Sequence, residues 1–356
     1  MLTNFPFGFI VSVECNTYNQ SDYIEDAMNG FCMQQTAFPF VCFILDDAST
    51  DGEPDVISRY MELHFLLEGN EYYTEDNDDY HLVIARHRQN TNCYFACFYL
   101  KHNHYSFKKN KKTYLKRWTE VKYIALCEGD DYWTNPKKLQ TQVEYLDGHN
   151  DCYIAFNYVN VVDSNGLWLD KTIPPSSIYK EIITLSDLID LEFKRGIWTF
   201  HTSSIVFRKE IEETFLKLTS TIFRTIHCGD LPLELTCLLR GNGYLFPEIC
   251  GCYRSGVGIF SANRTHFDNV IFQIEIIDSF LNFDAYTKYK YSKAINTRIK
   301  GMYNYMLQDL MHDTTFYNSK YFLHIMKCDN RWNILVHFVR LRYITYYISS
   351  VRIIGG

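Results

Sequence analysis

The chain has 356 residues, 47% hydrophobic and 22% charged, with a formal net charge of −7. Its length exceeds the usual single-domain size, and its apolar share excludes a disordered chain. The negative balance excludes a general nucleic-acid binder, whose affinity would rest on excess Lys and Arg. Aromatic residues reach 17%, with 28 Tyr and 26 Phe, enough for well-filled core layers and for stacking surfaces under ring-shaped ligands. The opening M-L-T-N-F-P-F-G-F-I-V-S-V lacks the basic segment and long apolar core of a signal peptide, so the 12 cysteines are expected reduced, in a cytoplasm. They form no C-x-x-C pair, and Cys250-Gly-Cys252 has no second half for a zinc site, so buried, inert thiols are expected.

In chain order, Phe7 to Cys15 is a β-branched and aromatic run ending in the polar N-T-Y-N-Q-S, the pattern of a buried strand entering a loop. Ser21 is placed to cap a helix whose Ile24, Ala27, Met28 and Phe31 recur at helical spacing. F-P-F-V-C-F-I-L reads as a second strand closing on D-D-A-S-T-D-G, Pro54 to Leu66 as a helix, and H-L-V-I-A-R at 81 to 86 as a third strand. This β-α-β-α-β order predicts a parallel sheet with helices on both faces. The acidic stretch at 75 to 79 and the basic stretch from Lys108 to Arg117 read as solvated loops, although the basic run also suits a diphosphate or an anionic lipid head group.

K-Y-I-A-L-C is another strand, and it delivers E-G-D-D-Y-W at its carboxyl end. Pro136 opens a helix with Leu139, Val143 and Leu146 on one face. From Cys152 the texture turns to strands and loops, with helices predicted over T-L-S-D-L-I-D-L and from Gly229 to Leu239, and a strand over T-S-S-I-V-F-R. Beyond residue 265 the pattern is a string of amphipathic helices. No repeat and no apolar run long enough to span a bilayer interrupts it.

Two acidic clusters follow two strands of the expected sheet: Asp46-Asp47, and Glu128, Asp130 and Asp131. Ligands of open α/β sheets sit outside the carboxyl ends of the strands, so both clusters point to one cleft. Carboxylates gathered there without neighbouring Lys or Arg suit a hard divalent ion together with phosphate oxygens, hence Mn²⁺ or Mg²⁺ and a nucleotide diphosphate. Taken singly, each Asp-Asp pair is equally readable as a turn cap.

Three blocks then carry a family resemblance: V-S-V-E-C-N-T-Y-N at 11 to 19, F-I-L-D-D-A-S-T-D-G at 43 to 52, and Y-I-A-L-C-E-G-D-D-Y-W-T-N-P-K-K-L-Q-T-Q at 123 to 142. Their residues, order and spacing resemble the inverting family-2 glycosyltransferases of the GT-A fold, most of all the bacterial enzymes that build surface polysaccharides. The resemblance implies a Rossmann-like, mostly parallel sheet flanked by helices over residues 1–265. Within it, 1–150 would bind the nucleotide-sugar and 151–265 would face the acceptor, with a helical extension over 266–356.

The resemblance also implies roles. Thr17, Tyr18 and Asn19 would line the nucleotide pocket with Asp46. Asp47 would accept a hydrogen bond from the nucleobase, favouring a UDP-sugar. Asp130 would face ribose or sugar and Asp131 would ligate the metal, while Glu128 occupies the first acidic position of the motif. Asp230 in C-G-D-L-P-L-E-L would be the general base, with Glu234 in reserve; an Asp there also reads as a helix cap. Trp198 and His201 match the acceptor-side segment, although a packed loop histidine serves equally for His201. Y-R-S-G-V-G-I-F-S at 253 to 261 has Gly256 where many relatives carry a histidine, which counts against a histidine metal ligand from this loop and leaves Arg254 as a diphosphate contact.

Two rival classes remain, a metal-dependent nucleotidyltransferase and a catalytically inactive carbohydrate-binding relative. The first lacks its glycine-rich, basic signature near the opening strand; retention of Asp47, Asp130, Asp131 and Asp230 argues against the second. The tail from Asn333 mixes Arg340, Arg342 and Arg352 with aromatic and aliphatic residues. It suits peripheral contact with the inner face of a membrane, where a lipid-linked saccharide acceptor would be met, and equally a dimer contact or packing on the catalytic domain.

Overall fold

The computed structural model describes residues 8–106, 111–115, 120–178, 180–226, 229–258 and 266–312. In chain order the first part runs β1 (Val11–Thr17), α1 (Ile24–Cys32), β2 (Phe40–Asp46), α2 (Glu53–His64), β3 (Tyr72–Asp76), β4 (Tyr80–Arg86), β5 (Cys93–Leu100) and the short α3 (Lys112–Leu115). It continues through β6 (Tyr123–Leu126), β7 (Tyr132–Trp133), α4 (Lys138–Gly148), β8 (Cys152–Val162), β9 (Trp168–Ile173), β10 (Ile182–Ile183) and α5 (Leu185–Leu188). After β11 (Val206–Arg208) come α6 (Glu212–Thr221), α7 (Asp230–Arg240) and β12 (Asn242–Arg254).

These strands join one mixed sheet in the order β10-β12-β8-β11-β6-β1-β2-β5-β4-β3, with β7 on β12 and β9 on β8. The centre, β6-β1-β2-β5, is parallel. Thr17 at the end of β1 is paired with Asp46 at the end of β2, so both strands release their loops at one level. β2 is buried along its whole length because both faces are covered: Phe40, Cys42 and Ile44 pack with Ile24, Met28 and Phe31 of α1 and Leu139 and Val143 of α4, while Val41, Phe43 and Leu45 pack with Leu82, Ile84 and Phe98. That double burial is why it reads as an unbroken apolar run.

The expected third parallel strand is corrected. Residues 80–86 form β4, antiparallel to both β3 and β5, and the third parallel partner is β5, whose C-Y-F-A-C-F-Y-L was passed over. Part of the acidic stretch expected to be loop lies in β3. Ser21 does not cap α1; its own N–H donates to Asp51, and α1 begins without a side-chain cap.

Helix α1 packs unusually close to β7. A Cβ at Gly30 would stand 2.8 Å from the Trp133 amide nitrogen and 2.9 Å from its carbonyl oxygen, so only glycine allows this approach. Trp133 itself is 2% exposed, edge-on to Phe31 and beneath the Lys138 ammonium at 4.4 Å. Burial lowers the Lys138 ammonium to about 8, and it donates to Gln142 at 2.8 Å.

Among the described residues, 222–226 and 266–312 form a separate compact unit, in which α8 (His266–Tyr286) and α9 (Ser292–His312) pair. Ile274, Ile277, Phe280 and Phe283 of the first and Ile295, Ile299, Met302 and Met306 of the second are buried at helical spacing, with Phe223 stacked on Phe283. Among the described residues no helix is long and apolar enough to cross a membrane. The basic, aromatic tail lies outside the described residues.

Candidate active site

The site forms where β1, β2 and β6 end, the crevice that a parallel sheet offers to a ligand. The β1 loop is locked to the β2 loop by side chains. Glu53 at the start of α2 is fully buried and accepts from the Gln20 N–H at 3.0 Å and the Ser49 hydroxyl at 2.8 Å, and Thr17 hydrogen-bonds to it. Asn19, in left-handed backbone, accepts from the Thr50 N–H at 2.8 Å while its own N–H donates to Ser49. Asn19 thus positions the two loops, Tyr18 beside it is half-buried, and Thr17 is 3% exposed beneath Gly129. A Cβ on Gly129 would lie 2.4 Å from Thr17 Oγ1, so the acidic turn rests directly on the end of β1.

The two halves of the Asp46-Asp47 pair face different ways. Asp46 accepts the Ser49 N–H at 3.2 Å, and burial, reinforced by the nearby Glu53, pushes its carboxyl up to about 6. Asp47 is 1% exposed, and its carboxylate takes the N–H groups of His104 at 2.7 Å and Tyr105 at 3.1 Å and the Lys111 ammonium at 3.2 Å. Its oxygens are turned to the 103–105 loop.

The second cluster follows β6. Asp131 Oδ1 accepts the backbone N–H of Arg254 at 3.0 Å, and its Oδ2 lies 3.7 Å from His201 Nδ1. Burial, then the charges of Asp130 and Glu128, hold the Asp131 carboxyl well above the usual range. Asp130 is raised by burial and contacted by the Gln20 side chain. Glu128 is open to solvent on one side but crowded by protein on the others; that loss of water, with the charges of Asp230 and Asp130, pushes it up to about 8. Asp230, at the first position of α7, therefore reaches the same cleft from the far half of the domain. Its own carboxyl is raised by burial and steadied by a hydrogen bond from Thr202.

The remaining expected residues are placed by their partners. Arg254 is 4% exposed, and its guanidinium lies between the Tyr23 and Tyr132 rings (4.9 and 4.7 Å), donates to the Asp130 carbonyl at 2.9 Å and pairs with Asp26. The acidic cluster accordingly does have basic neighbours, Arg254 and Lys111, contrary to the sequence reading. His201 is 4% exposed, bonded to Ser203 at 2.8 Å and packed on Tyr253 and Trp198; burial lowers it to about 3, so its imidazole is neutral. Trp198 keeps 46% of its surface exposed beside that pair. Glu234 sits one turn below Asp230, 2% exposed, its carboxyl raised by burial and by Glu192.

Carboxylate oxygen is the donor type that a hard divalent ion takes. Burial raises the carboxyls of Glu128, Asp130 and Asp131, and neighbouring acidic charges add to that at Glu128 and Asp131. Among the described residues no group of three His, Cys, Asp or Glu side chains could hold a metal alone. An ion here would share its shell with ligand oxygens, as Mg²⁺ commonly does with phosphates. Reading the sequence missed Glu53, Gln20 and Asp26 and took Lys111 only as part of the basic run; Glu53 follows directly on the D-G of the second block, the one local signal available.

No family model matches the chain. An uncharacterized protein of Mycobacterium tuberculosis is 32% identical over 200 residues, 56% of this chain and 47% of that protein. The putative teichuronic acid biosynthesis glycosyltransferase TuaG of Bacillus subtilis is 27% identical over 176 residues, 49% of this chain and 57% of TuaG. The chain thus spans about half the length of the curated relatives it matches. Among solved structures, S. aureus TarS 1-349 in complex with UDP-GlcNAc superposes with a TM-score of 0.50 at 18% identity, covering 93% of this chain and 81% of that one. By its sheet and this superposition the chain has a GT-A-like fold, and over about half its length it is similar in sequence to a putative glycosyltransferase.

Proposed function

We propose that the protein is an inverting, metal-dependent family-2 glycosyltransferase that moves a sugar from a UDP-linked donor to a saccharide or lipid-linked saccharide in polysaccharide biosynthesis. The observation that carries this reading is the convergence of Glu128, Asp130 and Asp131 after β6 with Asp230 at the start of α7. A diphosphate-binding cluster and a separate carboxylate share one cleft. The UDP-linked donor follows the TarS complex, and the polysaccharide setting follows the name of TuaG.

In this mechanism Asp230 takes the proton of the acceptor hydroxyl as that oxygen attacks the anomeric carbon from the face opposite the leaving diphosphate. Its raised pKa makes it a stronger base than an ordinary aspartate, and the Thr202 hydroxyl orients it. Asp230 is preferred to Glu234, which is more deeply buried one turn away. Asp131, with Asp130 and Glu128 beside it, would hold Mn²⁺ or Mg²⁺, which stabilises the negative charge growing on the leaving diphosphate. Asp130 faces ribose or donor sugar, and the exposed face of Trp198 offers the acceptor ring a stacking surface. Residues 1–265 act as the catalytic domain, in a cytoplasmic protein whose tail touches the inner membrane face.

The test is a screen of nucleotide-sugars for transfer or hydrolysis with Mn²⁺ present. Asp230→Asn should bind UDP as the parent does and lose transfer; normal turnover would eliminate the base assignment. Asp131→Ala should lose Mn²⁺-dependent UDP binding, and unchanged binding would eliminate the metal assignment. Liposome co-sedimentation against a chain ending near residue 330 decides the membrane contact, equal partitioning ruling it out.

A further inference from the structure

We propose that Lys111 is a phosphate-binding residue of the cleft, releasing Asp47 to pair with the diphosphate of the bound nucleotide. The proposal rests on the nucleotide-sugar reading above. Lys111 belongs to the basic run that otherwise reads as solvated surface, yet its ammonium is turned inward, 3.2 Å from Asp47 Oδ2, with 21% of the side chain exposed. Its charge is also felt at Glu128, on the opposite side of the cleft. Asp47 follows β2 and Glu128 follows β6, the two neighbours of β1 in the sheet. Paired with Asp47, the ammonium stands at the carboxyl end of β2, the strand beside β1 in the sheet. That is the place a parallel sheet gives to an anionic ligand.

The surroundings make the move feasible. The segment is fixed to the sheet: Tyr114 bonds His104 at 2.8 Å and packs edge-on to Tyr80, and Leu115 is buried in the core. Only the flexible four-carbon stem of Lys111 has to swing. Asp47 keeps the His104 and Tyr105 N–H groups on its two oxygens when it does, which offsets part of the lost ion pair. The other cations described around the site are committed elsewhere: Arg254 to Asp130 and Asp26, and Lys138 to Gln142 beneath the Trp133 turn. A diphosphate entering among four carboxylates gains most from the cation able to turn toward it.

The experiment is calorimetric titration of the full chain, with Mg²⁺ present, using UDP and phosphate-free uridine against the parent, Lys111→Met and Lys111→Arg. Lys111→Met should weaken UDP about tenfold or more and leave uridine unchanged, as loss of one charge-assisted contact requires. Lys111→Arg should retain most of the affinity, and raising salt should weaken UDP binding more in the parent than in Lys111→Met. Equal UDP affinity in parent and Lys111→Met overturns the proposal, as does an equal loss for UDP and uridine. If the parent binds neither, the nucleotide-sugar reading falls and takes this proposal with it.

Discussion

Trp133 donates its indole N–H to the carbonyl oxygen of Ser203 at 2.7 Å, both groups buried, so the acidic turn and the segment carrying His201 form one hydrogen-bonded unit. The Gln142 amide reinforces it by donating to the Ser204 carbonyl at 2.9 Å. Trp133→Phe keeps an aromatic ring against Phe31 and leaves the Ser203 carbonyl unpaired. The expected cost is about 1–3 kcal/mol, read as a lower urea midpoint at unchanged m-value.

Arg254 braces the turn from outside the ligand space, and that role separates its variants. Arg254→Met removes the guanidinium from between Tyr23 and Tyr132 and its bonds to Asp130 and Asp26, at an expected cost of about 2 kcal/mol in thermal unfolding. Arg254→Lys should recover little, since a point ammonium cannot serve two directions as the planar fork does. A variant that melts like the parent and loses only UDP affinity would restore the direct diphosphate role.

Glu128 gives a pH signature. Its carboxyl rises from 4.5 to about 8 on folding, so the folded chain holds that proton more tightly than the unfolded one. The resulting stability is complete below 4.5 and is lost as pH rises toward 8. Glu128→Gln stays neutral throughout and should match the parent's melting temperature at pH 5. At about pH 8.5 it should exceed the parent by roughly 2 °C, after discounting for solvent screening on the open side. Added Mg²⁺ should narrow that gap; a constant difference across pH would contradict the assignment.

Gly129→Ala tests the seat of the acidic turn. The new methyl would meet Thr17 Oγ1 at 2.4 Å and Gln20 Oε1 at 2.6 Å, lifting the turn from β1. A loss of about 1–3 kcal/mol in chemical denaturation is expected, with weaker UDP binding. Parent-like values in both would show that the loop yields freely.

What the sequence conveys and what it withholds divide along physical lines. β2 and β6 are legible because burial leaves apolar runs, β1 because its buried Val11, Val13 and Cys15 recur at every second position, and the acidic residues at the ends of β2 and β6 follow at once. β5 is apolar too, but strand direction is not written in local composition, so 81 to 86 took its place as the parallel partner. Asp131 and Asp230 are expected in one cleft from the family resemblance, and in the structure the charges of both clusters meet at Glu128, which is raised by Asp230 and in turn raises Asp131. Arg254 and Lys111 resist sequence reading because a charged side chain chooses between ligand and protein partners only once the fold sets its reach. Asp26, 228 positions from Arg254, carries no local sign of that pairing.

Gly30 and Asp26 stand four residues apart on α1, hence on one face of the helix, and both engage the turn region, one through bare backbone against Trp133 and the other through Arg254. The helix therefore acts as a gauge, fixing the height of the acidic turn by contact at one point and by charge at the next. A library randomised at position 30 and selected for folding should return glycine almost exclusively. The same selection at position 26 should admit glutamate and asparagine, because a side chain can adapt its reach where a backbone in contact cannot.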